Sequence, residues 1–488
     1  MKIIILLLVC ICPLITVSAQ VATFEEMKAR LNDKSLPIIN ITVEIDKVSK
    51  PEYISAAIEI ADPERRTDQE NLCTTFRCKV KYRGSSAMQY EKKSFAVKLL
   101  NDKGKSLDAN LFGIRKDDAW ILDAMAIDRL RMRNRVNFDI WNEMSSTPYP
   151  TDYERRNGTK GLFVELFING KYHGLYCFTD KVNRKLLGVK KAEVKEGDNT
   201  PPTIRGVMYK GEQWSNATLL WGYNEESMYG ETWNGWELDY PDDYPCPEAY
   251  TPMKDFVDYC VKSSDEEFKD GINKRFYWQN FVDFHVFLLA EGLRDNHGKN
   301  TFMSIADIQK GRCLMVTPWD LDCSLGGNYD GEYYDYMATN DLLIPNNLLY
   351  RLWGGNVSDY KSAVASRWRE LRKTSLSDEA FCARLDAYAK TLIESGAWER
   401  ECEMWNNNPV ELQKDLAKEM EYVKSWYRRN AINLESNIFE GIVSGIDMVN
   451  KNVAAKRKSY MYNTVGQRVG ASYKGIVIID GKVCFKSH

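Results

Sequence analysis

Phe163-Val164-Glu165-Leu166-Phe167-Ile168-Asn169-Gly170-Lys171-Tyr172-His173-Gly174-Leu175-Tyr176-Cys177-Phe178 is the stretch on which the reading of the fold turns. Two runs rich in β-branched and aromatic residues flank Asn169-Gly170, a pair that accepts positive φ at both centres of a type I′ turn. The segment therefore predicts a β-hairpin. Working upstream, Ile38 to Ile45, Ile54 to Ile60, Phe76 to Tyr82 and Ser94 to Leu100 have the same strand composition, and Arg83-Gly84-Ser85-Ser86 interrupts the last two. Asp128 reads as the cap of a helix running through Val136, Ile140, Trp141 and Met144.

Downstream the character changes. Residues 197–247 are rich in Gly, Pro, Asn, Trp and Tyr and read as loops with short strands. Phe276 to Leu293 is apolar enough for a buried helix, Cys313 to Thr317 reads as a strand, and residues 346–438 alternate helices. Asn408-Pro409 reads as a cap followed by proline at the first helical position. Tyr460 to His488 carries a turn at Gly466 and an Asp480-Gly481 hairpin between Ile476–Ile479 and Lys482–Phe485. That tail resembles the C-terminal modules by which certain Gram-negative exported proteins are sorted or attached to the surface. Strands followed by helices predict an α+β chain. Its parts are a mixed or antiparallel N-terminal sheet, a helical C-terminal lobe and a small C-terminal β module.

The N-terminus sets the compartment. Lys2, the apolar run Ile3 to Val17 and the small-residue signal Val17-Ser18-Ala19 form a secretory signal peptide over residues 1–19. No later stretch is apolar and long enough to span a bilayer, so no transmembrane anchor is expected after cleavage. The mature chain is expected in the periplasm, on the cell surface or in the medium. Twelve cysteines fall to ten on cleavage, and export permits disulfides. Cys73/Cys78, Cys246/Cys260, Cys313/Cys323 and Cys382/Cys402 are near enough in sequence to pair. With no CxxC and only His173, His285, His297 and His488, a zinc site is not expected. Carboxylate and amide oxygens remain as ligands, and they suit Mg²⁺ or Mn²⁺. A net charge of −3 without a basic stripe speaks against nucleic acid as a partner.

Two segments carry the chemistry. In Arg294-Asp295-Asn296-His297-Gly298-Lys299-Asn300 an acid precedes an amide by five residues, after the predicted buried helix. Trp319-Asp320-Leu321-Asp322-Cys323-Ser324-Leu325-Gly326 follows a strand by a turn. Acid, amide and acid on adjacent loops present hard oxygens to Mg²⁺, with one carboxylate left to orient an attacking hydroxyl. The order is similar to that of protein kinases: catalytic-loop Asp, then Asn, then a metal Asp. The Arg83–Ser86 loop offers backbone N–H groups to phosphates, and Phe95-Ala96-Val97-Lys98 places a lysine as kinases do. Phe178-Thr179-Asp180 falls where a kinase binds adenine. Singly, each has a plainer reading. The Arg-Asp string is more often a solvated loop, Asp320 and Asp322 a capped turn, Arg83 an ion-pair partner. Lys92, Lys93 and Lys98 are more often a solvated strand face.

A wider match joins them. Arg83-Gly84-Ser85-Ser86, Lys92-Lys93-Ser94-Phe95, the Asp128–Arg135 helix start, Val164 to Tyr176, Trp236 to Pro241 and Pro318 to Asp322 together resemble the CotH family. These are atypical kinases, named for spore coat protein H, that bind ATP with metal and phosphorylate serine on secreted or coat proteins. The resemblance covers roughly residues 75 to 370. It implies a two-lobed, kinase-like fold and the γ-phosphoryl group of ATP transferred to a hydroxyl, with an exported or surface protein as acceptor. Asp295 would be the catalytic acid, and Asn300 with Asp320 the metal ligands, with Asp322 a second or alternative one. Lys98 or Lys93 would hold ATP phosphates beside Arg83, Gly84, Ser85 and Ser86, with Thr179 and Asp180 near the base.

There is no GxGxxG, no His before Arg294-Asp295, and Asp-Leu-Asp stands where kinases have Asp-Phe-Gly. The glutamate that pairs with the phosphate lysine has only Asp128 and Glu143 as candidates. The domains so expected are 1–19, a β segment at 20–74, the kinase-like domain at 75–440, and the linker and β module at 441–488. Two rival readings stand beside this one. One is a non-catalytic kinase-like scaffold. The other is a glycan-binding surface protein using Trp214, Trp221, Tyr223, Tyr229, Trp233, Trp236, Tyr240 and Tyr244 as a stacking platform.

Overall fold

The computed structural model describes residues 22–151, 154–193, 203–225, 232–242 and 247–442, and the backbone of short strands at 228–229 and between 461 and 486. Residues 1–19, read as a signal peptide, together with Cys246, Tyr244, Gly466, the expected Asp480-Gly481 turn and His488, lie outside the described residues.

The predicted hairpin forms over Gly161–Ile168 and Lys171–Asp180. Asn169 and Gly170 take φ of 52° and 78°, as a type I′ turn requires. The upstream strands are Ile38–Thr42, Ile54–Ala61, Cys73–Arg83, Ser94–Leu100 and Ala119–Asp123. They do not form an open sheet. They pair antiparallel in order, Ala119–Asp123 then pairs with Lys171–Asp180, and Ile38–Thr42 meets Gly161–Ile168 in a parallel ladder that closes a seven-stranded barrel. Closure leaves no unpaired edge. Strands from both sides of residue 75 thus build one barrel, filled by Ile58, Val80, Phe95, Val97, Leu122 and Phe178.

Alternation along each strand turns the remaining side chains outward. Lys79, Lys81 and Arg83 lie on the outer face beside Ala96 and Lys98, then Ile121 and Asp123, then Cys177 and Thr179. The helix after the barrel strands spans Arg133–Met144. Asp128 stands outside it but closes its N-terminus, accepting from the Arg133 N–H at 2.7 Å and the Leu130 N–H at 2.9 Å.

A second, six-stranded antiparallel sheet runs Met228–Tyr229, Thr232–Trp233, Trp236–Tyr240, Val207–Gly211, Thr301–Ile305, Met315–Pro318. The Trp278–Glu291 helix is buried along nearly its whole length and ends on Gly292 at φ 67°. Trp141 packs its indole on Phe284 and Phe287 of that helix. Helices Tyr360–Leu371, Asp378–Glu394, Ala397–Trp405 and Leu416–Asn433 follow, making the chain a mixed α+β protein with eleven α-helices among the described residues. None of these is long and apolar enough to cross a membrane. The strands Met461–Asn463, Arg468–Val469, Gly475–Ile479 and Lys482–Lys486 form a four-stranded sheet of their own.

Three expectations are corrected. Asn408-Pro409 lies in the turn after Ala397–Trp405, and the next helix begins at Leu416 under an Asp415 cap. Cys73, Cys78, Cys260, Cys313, Cys323, Cys382 and Cys402 are all free thiols. Cys73 and Cys78 share one strand at an odd spacing, which puts them on opposite faces. The aromatic cluster is not one platform, because Trp233 and Trp236 are wholly buried in the core while Trp214 and Trp221 stay at the surface.

Candidate functional site

The two chemical segments meet because they flank one ladder. Thr301 pairs with Pro318 where Thr301–Ile305 and Met315–Pro318 run antiparallel, so Asn300 and Trp319 are neighbours just beyond it. The Trp319 N–H donates to the Asn300 carbonyl at 2.9 Å. Asn296, fully buried, donates its amide to the Asn300 carbonyl at 3.1 Å and the Trp319 carbonyl at 2.6 Å, clamping the loops together. Asn300 and Asp320 both hold left-handed backbone, φ 52° and 56°. Such geometry is strained for a residue with a Cβ and is tolerated where function needs it.

Asn300 donates its side-chain amide to Asp295 at 2.8 Å, and the Lys299 ammonium stands 3.5 Å from the same carboxylate. The Asp-Leu-Asp loop is held from the other side by the Arg133–Met144 helix. Asn134 accepts from the Leu321 N–H at 3.0 Å, and Asn137 donates to the Leu321 carbonyl at 2.9 Å. Asn134 also donates to Asp123 at 2.8 Å, which brings a fourth carboxylate to the cleft. The sequence reading missed Asp123. It sits at the outer end of a barrel strand, with no motif around it.

The acids disturb one another. Asp320 reaches solvent inside the cleft. Even so, the protein around the cleft desolvates it and pushes its carboxyl up, Asp123 and Asp295 add to this, and Arg83 opposes it. Asp322 is half-buried, and burial together with Asp320, Asp123, Asp128 and Asp295 raises it well above the usual aspartate range. Asp295 is also raised by burial, against Lys299. Four carboxylates outnumber the cations that reach them among the described residues, Arg83, Lys299 and the Glu212-paired Lys210, and the donors are all oxygen. That set fits a hard divalent ion such as Mg²⁺ or Mn²⁺. The described residues hold one tighter trio of acids, Asp108, Asp117 and Asp118, with ligand atoms within 4.8 Å of one another. There the Lys185 ammonium lies 2.6 Å, 3.4 Å and 3.5 Å from the three. A protein cation meets all three acids of that trio; in the wider cleft cluster Lys299 meets Asp295 and Arg83 faces Asp320, which leaves the four carboxylates in excess.

Opposite the acids stands the outer face of the barrel. Arg83 places its guanidinium 5.3 Å from the Trp319 ring centroid, and it lines one small polar pocket with Asp123, Asn134, Thr179 and Asp320. Gly84, at φ 111°, turns the chain so that Ser85 and Ser86 are exposed beside it. Lys93 donates to the Met88 carbonyl at 2.8 Å and to that of Tyr90, so it braces this turn from within. Lys98 faces outward with Lys79 and Lys81 around the Tyr53 ring, at 5.2 Å, 5.8 Å and 4.9 Å. Ser94 is the residue paired with Arg83, and four residues of strand put Lys98 about 13 Å along from it. Lys98 therefore shares the cleft face but lies at its far end.

Thr179 is on the pocket wall and donates to the Lys160 carbonyl at 2.9 Å. Asp180 is not brought to the cleft, since it is fully buried between Arg115 at 2.6 Å and Arg156 at 2.5 Å. Glu143 pairs with Arg384 and Asp128 with Arg133, so neither serves Lys93 or Lys98. Lys92, expected on a solvated face, is fully buried and paired with Glu401.

None of the curated proteins matches this chain. A family model described as CotH kinase protein matches residues 80–434, a span that takes in Arg83, Asp123 and the whole acid cluster. Since that match covers well over half of the chain, the protein belongs to the CotH family.

Proposed function

We propose that the protein is an exported, metal-dependent phosphotransferase that moves the γ-phosphoryl group of ATP to an acceptor hydroxyl. One observation carries the reading: Asp295, Asp320 and Asp322 gather on two adjacent loops with Asp123 of the barrel beside them, four acids in excess of the Arg83 and Lys299 cations that meet them. On this reading the barrel supplies the phosphate-facing wall together with Asp123, and the loops beyond it supply Asp295, Asp320 and Asp322. Asp320, Asp322 and the Asn300 amide oxygen would hold Mg²⁺ or Mn²⁺. The ion's chemistry is to neutralise phosphate charge as it shifts toward the leaving group.

The chain's own groups do the rest. Arg83 and the Ser85–Ser86 turn bind phosphate oxygens from the barrel side. Asp295 accepts the proton of the acceptor hydroxyl as its oxygen bonds to the γ-phosphorus and the bond to ADP breaks. Burial raises Asp295, which makes it a stronger proton acceptor than an ordinary surface aspartate. Lys299 and the Asn300 amide aim the carboxylate. Export of the mature chain after removal of residues 1–19 belongs to the same proposal.

Transfer of labelled γ-phosphate by the mature chain, with Mg²⁺ or Mn²⁺, tests it. Asp295→Asn is expected to lower transfer by about 10²- to 10⁴-fold while nucleotide still binds. Asp320→Asn is expected to abolish metal-dependent nucleotide binding in a folded protein. Equal labelling by Asp295→Asn, or unchanged metal-dependent affinity in Asp320→Asn, would overturn the assignment. Absence of both transfer and ATP binding in the wild type would leave a non-catalytic scaffold.

A further inference from the structure

We infer that residues 213–224 form the acceptor-binding surface, and that the acceptor is a carbohydrate hydroxyl. The inference rests on the phosphotransferase reading and names the substrate class of that site. Charged residues are 28% of the chain, yet residues 213–224 contain no Asp, Glu, Lys, Arg or His. The loop is nevertheless a surface. Trp214 and Trp221 are 44% and 46% exposed, and Gln213, Asn216 and Asn224 are exposed with them.

The loop is bound to the catalytic segment. The Trp214 ring lies 4.8 Å from the His297 ring, centroid to centroid, two residues beyond Asp295. A Cβ built on Gly298 would come within 2.8 Å of Leu219 and 3.0 Å of the Trp214 ring, so the loop packs on that glycine without a gap. The Trp214 side chain also lies within reach of the Asp295 carboxylate. Farther out, Trp221 packs on Tyr350 at 5.6 Å. One braced aromatic face, Trp214, therefore borders the group that takes the acceptor's proton, and a second, Trp221, lies farther along the same loop.

Flat aromatic faces cover the C–H face of a pyranose, and side-chain amides exchange hydrogen bonds with its hydroxyls. The loop adds no charge of its own, which suits a neutral polyol; the charges around it stand at its borders, Lys254, Lys262 and Asp258 about Tyr223 and Lys299 beside Asp295. In the step itself, the sugar oxygen bonds to the γ-phosphorus of the nucleoside triphosphate. The bond to the bridging oxygen breaks to release the diphosphate, and the hydroxyl proton passes to Asp295.

An array of neutral and amino-sugar oligosaccharides, probed with the mature chain, γ-labelled ATP and Mn²⁺ beside a set of serine peptides, tests this. Label is expected on a subset of the oligosaccharides. Trp214→Ala and Trp221→Ala are each expected to raise the acceptor KM about tenfold. Trp221→Ala should leave nucleotide affinity at the wild-type value. Label confined to serine peptides, a blank glycan array with metal-dependent ATP binding intact, or equal glycan labelling by both variants would overturn the carbohydrate assignment. A wild type that binds no ATP would instead remove the phosphotransferase reading beneath it.

Discussion

Two clusters of charge, both between the barrel and the helical part, are built on opposite plans. Around Glu401 the carboxylate is answered from three sides. The Lys92 ammonium, the Arg131 guanidinium at 2.7 Å and the Leu175 N–H at 2.8 Å all reach its carboxylate, and the three side chains Glu401, Lys92 and Arg131 are wholly buried. Burial pushes Glu401 up, but Lys92, Arg131 and the Leu175 N–H outweigh it and hold the carboxyl below its ordinary value. Burial still draws Lys92 down to about 7. Around Asp320 the balance is reversed. There, carboxylates raise one another, and Arg83 is the barrel cation that opposes them. The difference separates charges that hold the fold from charges that await a ligand.

Removing one acid from each cluster should therefore move stability in opposite directions. Glu401→Ala leaves Lys92 and Arg131 buried without their partner, at a cost of about 3–5 kcal/mol. Asp320→Asn removes a repelling charge and should leave the unfolding free energy unchanged or higher. Urea unfolding of the two variants beside wild type checks this. Equal losses in both would mean that the cleft acids are structural as well.

The pH response sharpens the same contrast. Asp320 and Asp322 are raised in the folded chain, so the native state binds more protons than the unfolded one. Above the unfolded aspartate value near 3.9, stability then falls as pH rises toward the folded values. Mg²⁺ or Mn²⁺ should reverse that loss at pH 7, by about 2.7 kcal/mol at a hundredfold excess over its Kd, and do little near pH 4. Thermal unfolding across pH, with and without metal, reads it. A metal effect independent of pH would place the ion elsewhere.

What the sequence revealed and what it hid follow from distance along the chain. The Asn169-Gly170 turn is legible because two adjacent residues alone must take positive φ. Asp295 with Asn300, and Asp320 with Asp322, are legible because each pair lies within one short loop. Barrel closure is not, since it needs Ile38–Thr42 to meet a strand more than a hundred residues on. The Lys92–Glu401 pair spans 309 residues, so Lys92 looked like any surface lysine. Asp123 is recognised only in three dimensions, through its bond to Asn134 and the pocket it shares with Arg83 and Asp320. Lys93 and Lys98 could not be ranked until the Met88 and Tyr90 carbonyls were seen to occupy one and strand geometry to displace the other.

Asn296 gives the smallest and most selective test. It is uncharged and buried, and its amide bridges the Asn300 and Trp319 carbonyls, so it joins the loop of Asp295 to the loop of Asp320 without touching either carboxylate. Asn296→Ala strands the Trp319 carbonyl, leaves that of Asn300 to the Trp319 N–H alone, and should cost roughly 1–2 kcal/mol of stability. Because the loops carry the proton acceptor and the metal acid separately, loosening the joint should lower kcat about tenfold. Nucleotide affinity, which needs only the Asp320 loop and the barrel wall, should stay near wild type. Steady-state transfer at a temperature where the variant is fully folded separates the two effects. If kcat is unchanged there, the Trp319 N–H to Asn300 bond and the Thr301–Pro318 register hold the loops by themselves. The cleft would then owe its geometry to the sheet rather than to a side-chain clamp.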